Sequence, residues 1–224
     1  MTDVGGAIGL LMAYIGDQAG VYQTLERVGR CSHSTLAKEA NVDERYLREW
    51  LSANAAAGYI DYHVEDDTFS LSEEQAAIFA HDGDPTCMQG FFQAVVGQYA
   101  THDTAVDVFK TGRGRAWSEH HGCCFCGTDR FFRPGYVANL VENWLPALDG
   151  VVAKLESGAK VADIGCGLGS STLLLAESFP NSEIYGFDFH APSIEKARAK
   201  ATEAGIKNAH FEVVAAKEIG RAHV

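Results

Sequence analysis

The stretch Lys160-Val161-Ala162-Asp163-Ile164-Gly165-Cys166-Gly167-Leu168-Gly169-Ser170-Ser171 limits what this chain can fold into more than any other. The run Val161 to Ile164 predicts a buried strand, and the helix-like Ser171-Thr172-Leu173-Leu174-Leu175-Ala176-Glu177 follows the alternating glycines. A strand, a tight turn and a helix N-terminus are the expected result. Glycines suit such a turn because a Cβ would block the φ values it needs and would hold a ligand away from the backbone.

A glycine turn alone does not separate a dinucleotide fold from others, so its surroundings decide. Asp163 stands two residues before the first glycine, where dinucleotide folds carry an apolar residue and where a carboxylate can meet a ligand's ammonium group. A second apolar strand, Glu183-Ile184-Tyr185-Gly186-Phe187, ends in Asp188, about twenty residues past the last glycine, the place from which an acid grips ribose hydroxyls. Phe189 then stands where it can line an adenine ring. An ammonium group together with a ribose describes S-adenosylmethionine.

The pattern Asp163-x-Gly165-x-Gly167-x-Gly169 followed by Gly186-Phe187-Asp188 resembles that of class I S-adenosylmethionine-dependent methyltransferases. Three flanking stretches narrow the resemblance: Phe131-Phe132-Arg133-Pro134-Gly135-Tyr136, Trp144-Leu145-Pro146-Ala147-Leu148-Asp149-Gly150 and His190-Ala191-Pro192-Ser193-Ile194-Glu195. They are similar to a bacterial-type subgroup with an N-terminal winged helix and an unsettled substrate. The resemblance implies a cofactor site of Asp163, Gly165, Gly167, Gly169, Asp188 and Phe189, and a small-molecule methyl acceptor. Trp117-Ser118-Glu119-His120 resembles a Trp-x-Glu-His motif of the subgroup's substrate pocket, which makes His120 the candidate base with Glu119 orienting it.

The rest of the chain fits an α/β protein with a separate N-terminal domain. Apolar residues recur at helical spacing over 4 to 30, and Gly16 to Gly20 is expected to break that run into two helices. A short helix from Ser34 with a hydroxyl cap, a turn at Asn41-Val42-Asp43 and a longer helix from Glu44 to Gly58 predict a helix-turn-helix. The longer helix is expected to turn Tyr46, Leu47, Trp50, Leu51 and Ala55 inward. Strands Tyr59 to Val64 and Thr68 to Leu71, around the acidic turn Glu65-Asp66-Asp67, complete a β-hairpin wing.

Residues 1–84 are therefore expected to form a winged-helix domain. Residues 85–150 form a helical linker and substrate-lid region, with a long loop from Thr111 to Thr128. Residues 151–217 are the first half of a Rossmann-like domain, with three parallel strands in the spatial order third, second, first. The resemblance implies that a complete domain continues for about a hundred residues more, as domains of this class normally do. The ending 218–224 is what a translated sequencing adapter would spell, so the natural protein is expected to be longer and the chain as written inactive.

Charge and cysteines bound the partners. The chain carries a formal charge of −12, and its first hundred residues hold fifteen acids against five bases. Such a face repels a phosphate backbone, so no nucleic acid is expected, although a winged-helix regulator or cofactor-sensing module without catalysis is the rival reading. The resemblance implies instead a homodimer formed through the N-terminal helices. Six scattered cysteines suggest free thiols in a reducing, cytoplasmic compartment. A single Cys-x-x-Cys, Cys123 to Cys126, lacks the second pair a structural zinc needs, so no metal is expected. No membrane partner is expected either, because no apolar run reaches the roughly twenty residues of a span.

Overall fold

The computed structural model of the chain describes residues 2–218. Its elements run α1 (Thr2–Gln18), α2 (Val21–Val28), β1 (Cys31–Ser32), α3 (His33–Ala40), α4 (Glu44–Ala56), β2 (Asp61–His63), β3 (Thr68–Ser70), α5 (Glu73–Phe79), α6 (Gln89–Tyr99) and α7 (His102–Thr111). A short 3-10 turn at Trp117–Glu119 leads into α8 (Gly122–Asn139), a π-helical turn at Leu140–Trp144 and α9 (Val151–Ser157). Then come β4 (Lys160–Ile164), α10 (Ser170–Ser178), β5 (Glu183–Asp188), α11 (Ala191–Glu203) and β6 (Ala209–Val213). The chain divides into two compact units, Met1–His102 with His121–Phe131, and Asp103–His120 with Phe132–Val224.

The first unit is a winged helix. Its core gathers Ala13, Tyr22, Leu25, Leu36, Leu47, Trp50, Leu51, Ile60, Phe69 and Phe79, all buried. The Tyr22 ring stacks on Phe79 at 4.9 Å and meets Trp50 edge-on at 5.0 Å. Its hydroxyl donates to Asn54 Oδ1 at 2.6 Å, so the buried phenol is not left unpaired. The wing pairs β2 with β3 antiparallel, and β1 adds a third strand on the other side of β3.

Several local expectations change here. The stretch Gly16 to Gly20 does hold the break, but Gly16 itself lies inside α1, where a Cβ would come within 2.1 Å of Trp50 Cζ2, so it makes room for the indole. The break falls at Ala19–Gly20, with Gly20 left-handed at φ 68°. The hydroxyl cap of α3 is Ser32, not Ser34, with Ser32 Oγ accepting the Thr35 amide. Tyr46 is 78% exposed rather than inward, because it lies in the first turn of α4 beside the capping Asp43. The predicted loop to Thr128 ends early: α8 already begins at Gly122 and carries Cys123, Cys124 and Cys126.

Helices α6 and α8 approach closely where both carry glycine. A Cβ on Gly97 would come within 2.6 Å of the Cys124 amide, and one on Gly127 within 2.4 Å of the Ala94 amide. An ion pair also anchors α8, with Arg130 gripping both oxygens of Asp17 at 2.6 and 2.8 Å and reaching Asp82 at 2.8 Å. The side chain of Asp17 is only 2% exposed.

In the second unit β4, β5 and β6 lie parallel in that order, joined by α10 and α11, the spatial order expected from right-handed crossovers. Central β5 is the most buried strand, with Ile184 and Phe187 almost wholly enclosed. The strand is as expected but not its burial: among the described residues β4 is an edge, none of its residues is buried, and Ile164 is 51% exposed. No single described helix is long and apolar enough to cross a membrane; α1 and α2 together would pass on length and composition but bend by 69°.

Candidate functional site

The carboxyl ends of β4 and β5 bring the sequence's candidate cofactor residues together. Gly165, Gly167 and Gly169 take left-handed φ values of 78°, 54° and 78°, which turn the chain from β4 into α10. A Cβ on Gly165 or Gly167 would stand in open space, whereas one on Gly169 would meet the Phe211 ring at 2.8 Å and Ala197 at 2.9 Å. The first two glycines therefore serve conformation and access. The third serves packing as well.

The amides of this turn are spent inside the protein. Gly165 and Cys166 both donate to the Phe187 carbonyl, at 2.7 and 3.1 Å, and Gly169 donates to the Cys166 carbonyl at 2.9 Å. The Gly167 amide donates to Asp188 Oδ2 at 3.0 Å. These four donors are engaged internally, so none of them is left over for a phosphate.

Asp188, 8% exposed at the end of β5, also accepts the His190 amide on Oδ1 at 2.8 Å. Each oxygen thus takes one protein donor and retains lone pairs for more. His190 Nδ1 pairs with Ser193 Oγ at 2.7 Å, and Pro192 lies in the first turn of α11, so the chain after Asp188 is fixed directly. Phe189 turns outward, 52% exposed, beside this acid.

Asp163, half-buried in β4, accepts the hydroxyls of Ser171 and Thr172 on the same oxygen, Oδ2, both at 2.7 Å. The sequence reading missed these two partners. Their signal was a pair of hydroxyl residues eight and nine positions after the acid, in the first turn of the following helix. Among the described residues neither Asp163 nor Asp188 forms an ion pair. The buried Cys166 thiol senses both: burial first, then the charges of Asp163 and Asp188, push it up to about 12.

Among the described residues the arrangement therefore offers two carboxylates without counter-ions beside an open glycine turn, four of whose amides are committed. These features fit a ligand carrying a cation and a ribose. They do not fit a pyrophosphate, which needs free amides.

The predicted catalytic pair is placed differently. Glu119 does not orient His120; its carboxylate accepts the Ala116 amide at 3.1 Å and lies 3.7 Å from Arg113. The His120 ring packs on Trp117 at 5.2 Å, and its buried Nδ1 has no hydrogen-bond partner. Cys123, Cys124 and Cys126 form no disulfide, and among the described residues no group of three or more His, Cys, Asp or Glu side chains could hold a metal.

Comparison with known proteins agrees with this architecture. Residues 6–81 match the Rv2258c-like winged HTH domain, and residues 155–223 match a methyltransferase domain. The chain thus joins a winged HTH domain to a methyltransferase domain of class I fold. Trans-aconitate 2-methyltransferase of Methylobacterium radiotolerans is 44% identical over 46 residues, 20% of this chain and 18% of that protein. An uncharacterized protein of Synechocystis is 42% identical over 57 residues, 25% of this chain and 11% of that protein. The chain thus aligns with only a small part of these curated relatives.

Solved structures follow the fold over nearly all of the chain. A putative O-methyltransferase from Nostoc punctiforme has a TM-score of 0.68 at 19% identity, covering 96% of this chain and 63% of that one. Human N-acetylserotonin methyltransferase, solved in complex with SAM, has a TM-score of 0.65 at 13% identity, covering 95% and 64%.

Proposed function

We propose that the protein is an S-adenosylmethionine-dependent methyltransferase acting on a small molecule. The observation that carries this reading is the pairing of four internally bonded turn amides with two carboxylates that have no counter-ion among the described residues. A phosphate ligand would want the reverse: free amides and no nearby acids.

The geometry supports the following roles. Asp188 accepts from the ribose hydroxyls, a charge-assisted contact, while its bonds to the Gly167 and His190 amides hold it still. Asp163 receives the ammonium group, and Gly165 and Gly167 let the ligand approach the backbone. Phe189 lies against the adenine. When bound, the cofactor supplies an electrophilic methyl carbon, and alignment of the acceptor with it accounts for most of the rate. Cys166 stays a buried thiol, a poor nucleophile, and does not compete for that methyl group.

For a hydroxyl acceptor His120 is the candidate base, supported by an Nδ1 without a partner among the described residues, and the Trp117 ring takes the orienting place expected for Glu119. We further infer a homodimer through the N-terminal helices, in which Val4, Ile8, Leu11 and Ile15, an exposed apolar stripe along α1, meet a second copy. A concentration-independent monomer in sedimentation of the full chain would contradict it. That none of the six cysteines is in a disulfide supports a cytoplasmic address.

Calorimetric titration of the full chain with S-adenosylmethionine and, separately, with NAD tests the central reading. Binding of the first and not the second is expected; the reverse order would overturn it.

A further inference from the structure

The two hydroxyls on Asp163 call for an explanation that packing alone does not provide. A threonine inside a helix can turn its hydroxyl back to the carbonyl four residues earlier, an option a first-turn residue does not have within its own helix. Thr172, fully buried in the first turn of α10, instead points its hydroxyl across to β4. Ser171 does the same from the neighbouring position, and both land on Oδ2.

Two donors converging on one oxygen fix the plane of the carboxylate. An aspartate held by a single contact can rotate about its terminal torsion, whose well is broad. Here that rotation would break two short hydrogen bonds at once. Among the described residues Oδ1 has no protein partner, and no lysine, arginine or histidine neutralises the charge. The helix therefore presents one carboxylate oxygen, in one orientation, beside Gly165 and Gly167.

Resting on the function proposed above, we propose that Ser171 and Thr172 are positioning residues that aim Asp163 Oδ1 at the α-ammonium group of the cofactor. They make the site select nucleosides that carry this group over nucleosides that lack it. The pair acts through Asp163 and touches no reacting atom.

The test compares two ligands that share the adenosine and the thioether but differ in the amino acid tail, S-adenosylhomocysteine and 5′-methylthioadenosine. Affinities are measured by calorimetry on the full chain and on Ser171→Ala, Thr172→Val and the double variant. Loss of both hydroxyl bonds to a charged group is expected to weaken S-adenosylhomocysteine by about tenfold or more while changing methylthioadenosine by less than about twofold. Thr172→Ser, which keeps the hydroxyl, retains wild-type selectivity.

Equal weakening of both ligands would show a merely structural role and overturn the proposal, as would no weakening of either. Should the double variant fail to fold, Asp163→Asn decides: it keeps acceptors for both hydroxyls, loses the charge, and must show the same ligand-selective loss. A wild-type chain that binds neither ligand would overturn the cofactor assignment itself. One that binds both equally would overturn only the selection argued here.

Discussion

Asp188 holds the glycine turn from the far side: its Oδ2 accepts the Gly167 amide at 3.0 Å, so the acid that ends β5 and the loop that ends β4 are one hydrogen-bonded unit. The backbone strengthens the link, because Gly165 and Cys166 both donate to the carbonyl of Phe187, the residue before that acid. A change at either end is felt at the other.

The turn glycines should separate into two classes. Gly169→Ala places a methyl group within 2.8 Å of Phe211 at a left-handed φ of 78°, and is expected to destabilise the second unit by about 2–4 kcal/mol. Gly167→Ala adds its methyl group to open space, so its cost is about 1–2 kcal/mol from the backbone alone. Urea denaturation should rank the two in that order, and ligand titration should show that Gly167→Ala nevertheless weakens binding.

Cys166 links the site to pH. Its thiol is pushed from 9.0 up to about 12 in the folded chain, so the fold binds this proton more tightly than the unfolded chain does. That contribution is fully present below about pH 9 and is lost as pH rises from there toward 12. Urea midpoints between pH 8 and 10.5 should fall more steeply for wild type than for Cys166→Ala. At pH 8 iodoacetamide should modify half-buried Cys123 and Cys126 long before Cys166; first reaction at Cys166 would refute its enclosure.

In the winged-helix unit, Arg130→Met leaves the buried Asp17 carboxylate without its cation, although Gln18 still donates to it at 2.9 Å. Breaking one side of a buried pair costs about 3–5 kcal/mol, and the Asp17→Asn, Arg130→Met double variant should recover part of that. Additive losses in the double-mutant cycle would contradict a direct coupling.

What was legible in the sequence was what local chemistry dictates. Val161 to Ile164, the three glycines and Asp188 were placed because strand period, φ > 0 turns and strand-end acids leave local marks. The wing and the order of the parallel strands followed from alternation and crossover handedness. What escaped depends on partners distant in sequence. Gly16 opened the stretch expected to break the helix, yet it is a helical residue that admits Trp50, and the break comes at the end of that stretch. Cys123 to Cys126 looked like loop, yet α8 gains its first turns by packing on α6, where Gly90, Gly97 and Gly127 let the backbones meet. One miss is local instead: Glu119 looked like a partner for His120, yet its carboxylate accepts the amide of Ala116, three residues earlier.

The most direct test of the central claim is the affinity of S-adenosylmethionine for the full chain with and without the Asp188 carboxylate, measured by calorimetry. Hydrogen bonds to a buried charge are worth about 2 kcal/mol or more, so Asp188→Ala is predicted to weaken binding at least about thirtyfold. An unchanged affinity in a variant that folds as wild type would contradict the assignment of this crevice as the cofactor site.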